Sequence, residues 1–362
     1  MKKKILFFNG FYPNVRGGAE LQAKIIALQA KVNNYEIVFV SIEEGDNEVI
    51  IRENIKVYIV PNPNKVFNNI TLYYFFMKKM IRIIEIERPS IIYQRILNSF
   101  SPYLAKFSNA NNIPFVLHIA NTHCFKFSNS FRDKVRLFLF NQLKKYKVKF
   151  IAQTKEQEEL LELHGMTSSM VIPNFYKAYI DFTNRSVTSL DVLWVANIRP
   201  VKQVELFLKL AFLLKDTPLK FFIIGRVEDE TKEIFYIDKM NEASNVEYLG
   251  ELSIEQVDKR MREAFVLANT SRSEGFPNTF IQAWSCGVPV VSLNADPNTY
   301  IVNNNVGFFA AGNMEKMKGA LLAYIRDSDL HKTHSLNSRR LCQNELSFEK
   351  NSKKLIEFFE NC

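Results

Sequence analysis

The sequence predicts an α/β chain in two domains, each a parallel β-sheet covered by helices, and three observations carry that reading. Short apolar runs such as Ile37-Val38-Phe39-Val40 and Phe221-Phe222-Ile223-Ile224 alternate with longer stretches of helical periodicity. Strands buried on both faces between crossover helices have that pattern. It lapses over residues 175–190 and then restarts, and 362 residues suit two such units. Both domains, 1–178 and 179–345, therefore read as Rossmann-like, with their sheets facing one cleft.

In chain order, residues 5–8 form the first strand. Asn9 and Gly10 cut its apolar stretch to four residues, too short for a secretory core. A helix near 19–31 follows, then strands at 37–41 and 56–60, a helix at 72–86, and strands at 90–93 and 114–119. A helix over 131–146, a strand at 149–152, a helix at 155–164 and a strand stopping at 171–174 complete the first half. The second half reads as strand 192–195, helix 204–214, strands 220–224 and 246–248, helix 254–263 and strand 266–269. Helical periodicity returns at 316–325 and 348–359.

Residues 270–293 are the most informative segment. Glu274 and Gly275 form a turn, and Pro277 stands where the first turn of a helix tolerates proline. Phe280, Ile281, Ala283 and Trp284 carry the helix, Gly287 stops it, and residues 288–293 make a buried strand. A carboxylate thus precedes a helix N-terminus whose backbone, from Phe276 through Asn278 to Thr279, can receive a phosphate. Taken alone, a plain loop–helix–strand with Glu274 solvated fits the same residues.

This block resembles the signature of the retaining, nucleotide-sugar-dependent glycosyltransferases of family 4, or "group 1", which have the GT-B fold. That signature is a Glu, seven residues, a second Glu, and a Gly-x-Pro-Val segment, here Gly287-Val-Pro-Val290. The resemblance implies that Glu274 contacts the transferred sugar. The ribose-binding carboxylate is replaced by Gln282, which still hydrogen-bonds but without the added strength of charge. The resemblance also implies that a last helix, over 346–362, crosses back to the first domain.

Other segments fit the same plan. Gly17-Gly18 precedes a helix, where backbone can approach an anion. Alone the pair is as well explained by a tight turn, but the family has a similar Gly-Gly segment near donor phosphates or acceptor. The loop Asn197-Ile-Arg-Pro-Val-Lys202 resembles the family's Arg, four residues, Lys. Lys202 matches the lysine and Asn197 stands in the arginine position, with Arg199 as a substitute cation near the leaving diphosphate. His118 lies two residues before Ala120, where family members place a histidine beside the reacting sugar, and His123 lies in the loop beyond. Upstream Tyr93-Gln94-Arg95 occurs in a similar branch of the family. Each histidine reads equally well as a hydrogen-bonded core or loop residue. Asp327-Ser328-Asp329 reads as a helix cap and not a metal site.

The resemblance implies transfer of a hexose from a nucleotide-diphosphate sugar to a hydroxyl of a glycan or lipid-linked glycan, in bacterial surface polysaccharide synthesis, with no cofactor or essential metal. A nucleotide-sugar 2-epimerase shares the two-domain plan, and Ala120, Asn197 and Gln282 together leave room for a donor-binding subunit that has lost catalysis.

Residues 1–180 carry 25 Lys/Arg against 14 Asp/Glu, net +11, and the remainder is net −2. A basic first half suits an anionic partner; no nucleic-acid-binding motif accompanies it. Residues 131–149 hold seven cations among repeated Phe and Leu, the composition of a helix lying on an anionic membrane or of a packing helix with a solvated basic face. Four scattered cysteines without metal-ligand spacing, and no 18-residue apolar segment, suggest a cytoplasmic protein, peripheral on a membrane if attached to one.

Overall fold

The computed structural model describes residues 2–43, 47–61, 70–125, 127–177 and 189–362. Contacts divide the chain into two compact units, Met1–Asn174 with Glu349–Cys362, and Phe175–Phe348. The expected boundary at 178/179 lies outside the described residues.

Unit 1 runs β1 (Lys4–Phe8), α1 (Gly18–Val32), β2 (Glu36–Glu43), β3 (Glu48–Arg52), β4 (Ile55–Pro61), α2 (Ile70–Glu87), β5 (Ile91–Gln94), α3 (Ser101–Ala110), β6 (Phe115–His118), α4 (Phe131–Gln142), β7 (Val148–Ala152), α5 (Lys155–Leu163) and β8 (Ser168–Val171). Among the described residues its sheet has eight strands in the order β3-β4-β2-β1-β5-β6-β7-β8. Only the edge strand β3 is antiparallel to its neighbour. Ile5, Leu6 and Phe7 of β1 are consecutive and fully buried, as a parallel strand covered on both faces requires. Phe7 stacks on Phe39 at 4.9 Å.

Unit 2 runs β9 (Asp191–Val195), α6 (Val204–Leu213), β10 (Lys220–Ile224), α7 (Glu233–Asn241), β11 (Val246–Tyr248), α8 (Ile254–Glu263), β12 (Val266–Asn269), α9 (Asn278–Ser285), β13 (Val290–Ser292), α10 (Tyr300–Asn303), β14 (Gly307–Phe309), α11 (Met314–Arg326) and α12 (Ser328–Asn344). Its sheet is parallel throughout, in the order β11-β10-β9-β12-β13-β14. Numbered within the unit this is 3-2-1-4-5-6, the doubly wound order that opens a ligand crevice where the strand order reverses. The last helix, α13 (Phe348–Glu360), buries Leu355, Ile356 and Phe359, and the Phe359 ring meets Tyr93 of unit 1 at 5.8 Å.

Several elements depart from the sequence reading. α3 starts on Ser-Pro and buries Ser101, Pro102 and Ser108 beside Leu104 and Ala105, so its apolar period is weak. The buried face of α12 carries His331, His334, Ser338 and Leu341, a polar stripe that hides its period. The helix expected over 131–146 ends at Gln142 and passes into a short tight turn, Leu143–Lys145. Pro277 sits one residue before α9 as its N-cap, outside the first turn. Gly287 ends α9 with φ +66°, and Asp327 caps α12 by accepting from the Leu330 N–H at 2.9 Å. Among the described residues no helix is long and apolar enough to cross a membrane.

Candidate functional site

In unit 2 the strand order reverses between β9 and β12, which pair directly. The loops leaving their carboxyl ends carry Asn197, Arg199 and Lys202 on one side and Glu274 on the other. A buried hydroxyl fastens the two loops together. Thr270 accepts from the Trp194 indole N–H at 2.9 Å, and its own oxygen lies 3.0 and 2.9 Å from the carbonyls of Lys202 and Gln203. The Arg272 N–H adds a bond to the Val201 carbonyl at 2.8 Å. Gln203 holds a left-handed conformation, φ +52°, uncommon for a residue with a side chain; it turns the loop into α6.

This framework brings Lys202 Nζ to 2.5 Å from Glu274 Oε1, with the two side chains only 15% and 12% exposed. Seventy-two residues apart in sequence, they form one paired site. Gly275 follows, and Phe276 is buried with its ring 5.9 Å from Tyr300. Pro277 then caps α9, whose first N–H groups belong to Asn278 and Thr279. A cation, a carboxylate and a helix N-terminus therefore share one loop rim, an arrangement suited to a diphosphate bearing a polar group.

Arg199 does not join Lys202. It is exposed and faces Glu228 at 3.9 Å, and the Asn197 amide donates to the same carboxylate at 3.3 Å. Gln282, 5% exposed, donates weakly from Nε2 to Asp258 Oδ1 at 3.5 Å. The other Asp258 oxygen accepts from the Tyr176 hydroxyl at 2.6 Å. Burial holds the Asp258 carboxyl above its usual range, opposed by the Tyr176 hydrogen bond. Asp258 and Thr270 escaped the sequence reading. An acid on the buried face of α8, between Val257 and Met261, was the available signal for the first.

Unit 1 repeats the topology, with its reversal between β1 and β5. Gly17 is the N-cap of α1 and Gly18 its first residue; a Cβ at Gly17 would fall on the Glu20 carboxylate. After β5, Arg95 is fully buried. Its backbone N–H donates to Asn9 at 3.1 Å, Nη1 to His118 Nδ1 at 3.2 Å, and Nη2 to Asn174 at 2.6 Å. Tyr93 shares the same His118 nitrogen at 2.8 Å. An arginine only donates, so Nδ1 is an acceptor and the ring is neutral. Burial, reinforced by the Arg95 charge, pushes His118 well below the ordinary histidine range, and burial pushes Tyr93 up to about 12.

His118, two residues short of the family's sugar-facing position and readable equally as a core residue, is 1% exposed and enclosed in this network. The side chain of His123 lies outside the described residues. Among the described residues no three His, Cys, Asp or Glu side chains gather as a metal site.

Known proteins match this chain along most of its length. Residues 175–341 match the family model described as "Glycosyl transferases group 1", and residues 19–154 the one described as "Glycosyl transferase 4-like". An uncharacterized glycosyltransferase of Methanocaldococcus jannaschii, MJ1178, is 24% identical over 350 residues, covering 96% of this chain and 95% of the relative. Sucrose-phosphate synthase of Thermosynechococcus elongatus shares the fold at a TM-score of 0.83 with 13% identity, covering 99% of both chains. Anabaena HepE, solved with UDP and glucose, aligns at a TM-score of 0.77 with 17% identity, over 99% of this chain and 100% of HepE.

Proposed function

Because the chain is a GT-B glycosyltransferase related to the group 1 and 4-like families, we propose that it moves a sugar from a nucleotide-diphosphate donor to a hydroxyl of a glycan or lipid-linked glycan, retaining the anomeric configuration. The observation that carries this reading is the Lys202–Glu274 pair at the mouth of α9. Bound donor takes the place of the pair's mutual contact. Lys202 and the first turn of α9 receive the diphosphate, Glu274 turns to the sugar hydroxyls, and Gln282 serves the ribose.

In the reaction the bond from the anomeric carbon to the phosphate oxygen breaks, and its electron pair leaves with the nucleoside diphosphate. Lys202 offsets the charge that builds there, the kind of stabilisation that dominates such steps. The acceptor oxygen bonds to the same face of the carbon, and its proton passes to the departing phosphate oxygen. These steps use side chains and backbone and require no metal.

The place of work in this reading is the inner face of an anionic membrane. Its support is the net +11 of residues 1–180 and α4, which exposes Phe131, Val135 and Phe138 to solvent. A thermal-shift series with uridine, guanosine and adenosine diphosphates tests the donor half. Ligand at about 100 times its dissociation constant adds roughly 2.7 kcal/mol of stability. No shift with any of the three removes the donor reading.

A further inference from the structure

Among the described residues the unit 1 sheet has an open edge at β3, which pairs with β4 alone. Natural proteins shield such edges by keeping them short, bulged or charged. The edge strands of unit 2, β11 and β14, are 3 residues long. At the far edge of the unit 1 sheet, β8 has 4 residues and a register shift against β7. β3 is the 5-residue run Glu48-Val-Ile-Ile-Arg52, pairs with β4 in unbroken register, and leaves Val49 53% and Ile51 68% exposed.

The hairpin fixes which backbone groups face outward. Glu53 and Asn54 join β3 to β4 with φ +49° and +58°, and two positive values make a type I′ turn. In such a turn the Arg52 carbonyl accepts from the Ile55 N–H, so Arg52 and Ile55, which stand opposite each other, are a hydrogen-bonded pair. By alternation Ile50 and Glu48 also spend their N–H and C=O groups on β4, while Val49 and Ile51 turn theirs to the open side. Side chains alternate too: Val49 and Ile51 share one face of the sheet, and Glu48, Ile50 and Arg52 the other.

We propose that β3 pairs antiparallel with β3 of a second copy of this chain, about a two-fold axis at Ile50. That register sets Val49 against Ile51 of the other copy, so their outward backbone groups bond to each other. It also sets Glu48 against Arg52 at both ends. The order of charges along β3 makes the strand complementary to itself, as an isologous interface requires. Arg52, held by Glu43 at 2.7 Å, keeps that partner and gains a second carboxylate. Val49 and Ile51 become β-branched neighbours across the new strand pair and lose their exposure. A parallel approach in register would oppose Glu48 to Glu48. An antiparallel pair centred on Val49 or Ile51 would set Glu48 against Ile50 or Asn54. A strand pair is small beside the roughly 1,200–2,000 Å² of stable interfaces, so the dimer is reversible and governed by concentration.

Sedimentation equilibrium of the full chain, from micromolar concentration upward, tests the pairing. Wild type should pass reversibly from monomer to dimer. Val49→Lys with Ile51→Lys opposes lysine to lysine and should raise the dissociation constant by about tenfold or more. Val49→Lys with Ile51→Glu opposes lysine to glutamate in this register alone, and should keep the dimer. Glu48→Arg, at an exposed position, opposes arginine to Arg52 and replaces the double lysine variant if that one melts early. Monomer at every concentration, or a dimer indifferent to the added cations, overturns the proposal. A lysine–glutamate variant as dissociated as the double lysine one overturns it as well, because charges in this register would attract.

Discussion

The two units place polar residues at the same topological position and use them in opposite ways. At the reversal in unit 2, Lys202 and Glu274 stand at a loop rim, paired with each other and each still touching solvent. At the reversal in unit 1, Arg95 is fully enclosed and held by Asn9, His118 and Asn174, all neutral partners. A partly exposed ion pair exchanges one member for a ligand at small cost. A buried cation cannot leave its partners without stranding them, because unpaired polar groups in the interior are expensive. On the proposed function, the same fold position therefore supplies binding in one unit and rigidity in the other.

Substitutions separate the two roles. The largest effect should come from Lys202→Ala, which removes the cation proposed to face the leaving diphosphate and should lower turnover by about 10²–10³-fold. Its melting temperature should move little, because only a partly exposed pair is lost. Glu274→Ala should likewise depress turnover strongly while leaving nucleoside diphosphate affinity nearly intact. Turnover at the wild-type rate in either variant would remove that residue from the site.

Arg95→Met should reverse the pattern, costing about 2–3 kcal/mol of stability through the lost charged hydrogen bonds. Nucleotide affinity should survive. Denaturant unfolding beside a nucleoside diphosphate titration checks both. A variant as stable as wild type would make Arg95 a binding residue and erase the contrast between the units.

Next in size is a pH effect. His118 is held neutral, its pKa pushed well below the ordinary value by burial and by Arg95. The unfolded chain binds a proton there near pH 6.5 and the folded chain does not. Stability is thus complete above that pH and falls below it, by about 1.4 kcal/mol per pH unit for one proton. His164 and His334 are also held low by burial, His164 further by the nearby Lys144 charge, so the measurement is the difference in slope between wild type and His118→Gln. Equal slopes would mean that His118 takes up its proton in the folded state.

Much of this contrast was legible in the sequence. The central strands of both sheets announce themselves because parallel strands are apolar on both faces, whereas the edge strands β3 and β14 went unread. The Glu274 block reads as loop, helix and strand because Gly287 ends its helix as glycine does. What sequence could not give is which polar residues meet. Arg199 and Lys202 are both cations of one loop, yet Thr270 holds the carbonyls of Lys202 and Gln203, and only Lys202 meets Glu274. His118 ends β6 and Arg95, 23 residues earlier, follows the neighbouring strand β5, and nothing local tells a buried histidine from a ligand-facing one. Short periods such as that of α3 and polar buried faces such as that of α12 also hide whole elements.

Smaller effects sharpen the comparison inside unit 2. Asp258 takes the amide N–H of Gln282 and leaves its carbonyl oxygen to accept, as the carboxylate of the family pattern would. Asp258→Asn should weaken, by about 1 kcal/mol, binding of whichever nucleoside diphosphate shifts the melting temperature, and should blunt discrimination against its deoxyribose form. Gln282→Ala should match it, and the double variant should add little more, since neighbouring residues in one network are not additive. Full additivity would mean that the two act on different parts of the ligand.

The smallest effect is expected at Arg199. Its position two residues after Asn197 suggested a replacement for the missing family arginine, but the guanidinium is about half exposed and lies 3.9 Å from Glu228, itself partly exposed. An ion pair of this kind contributes about 0–1 kcal/mol and weakens with salt. Arg199→Ala should therefore change nucleoside diphosphate affinity by less than a factor of about five, and that small change should fade as salt is raised. Asn197→Arg in the same background places a cation at the family position, nearer the strand end, and should raise affinity above that of Arg199→Ala alone. If Arg199→Ala instead costs as much as Lys202→Ala at high salt, Arg199 swings from Glu228 to the diphosphate, and the unit 2 site uses two exchangeable cations where the ligand-free structure shows one.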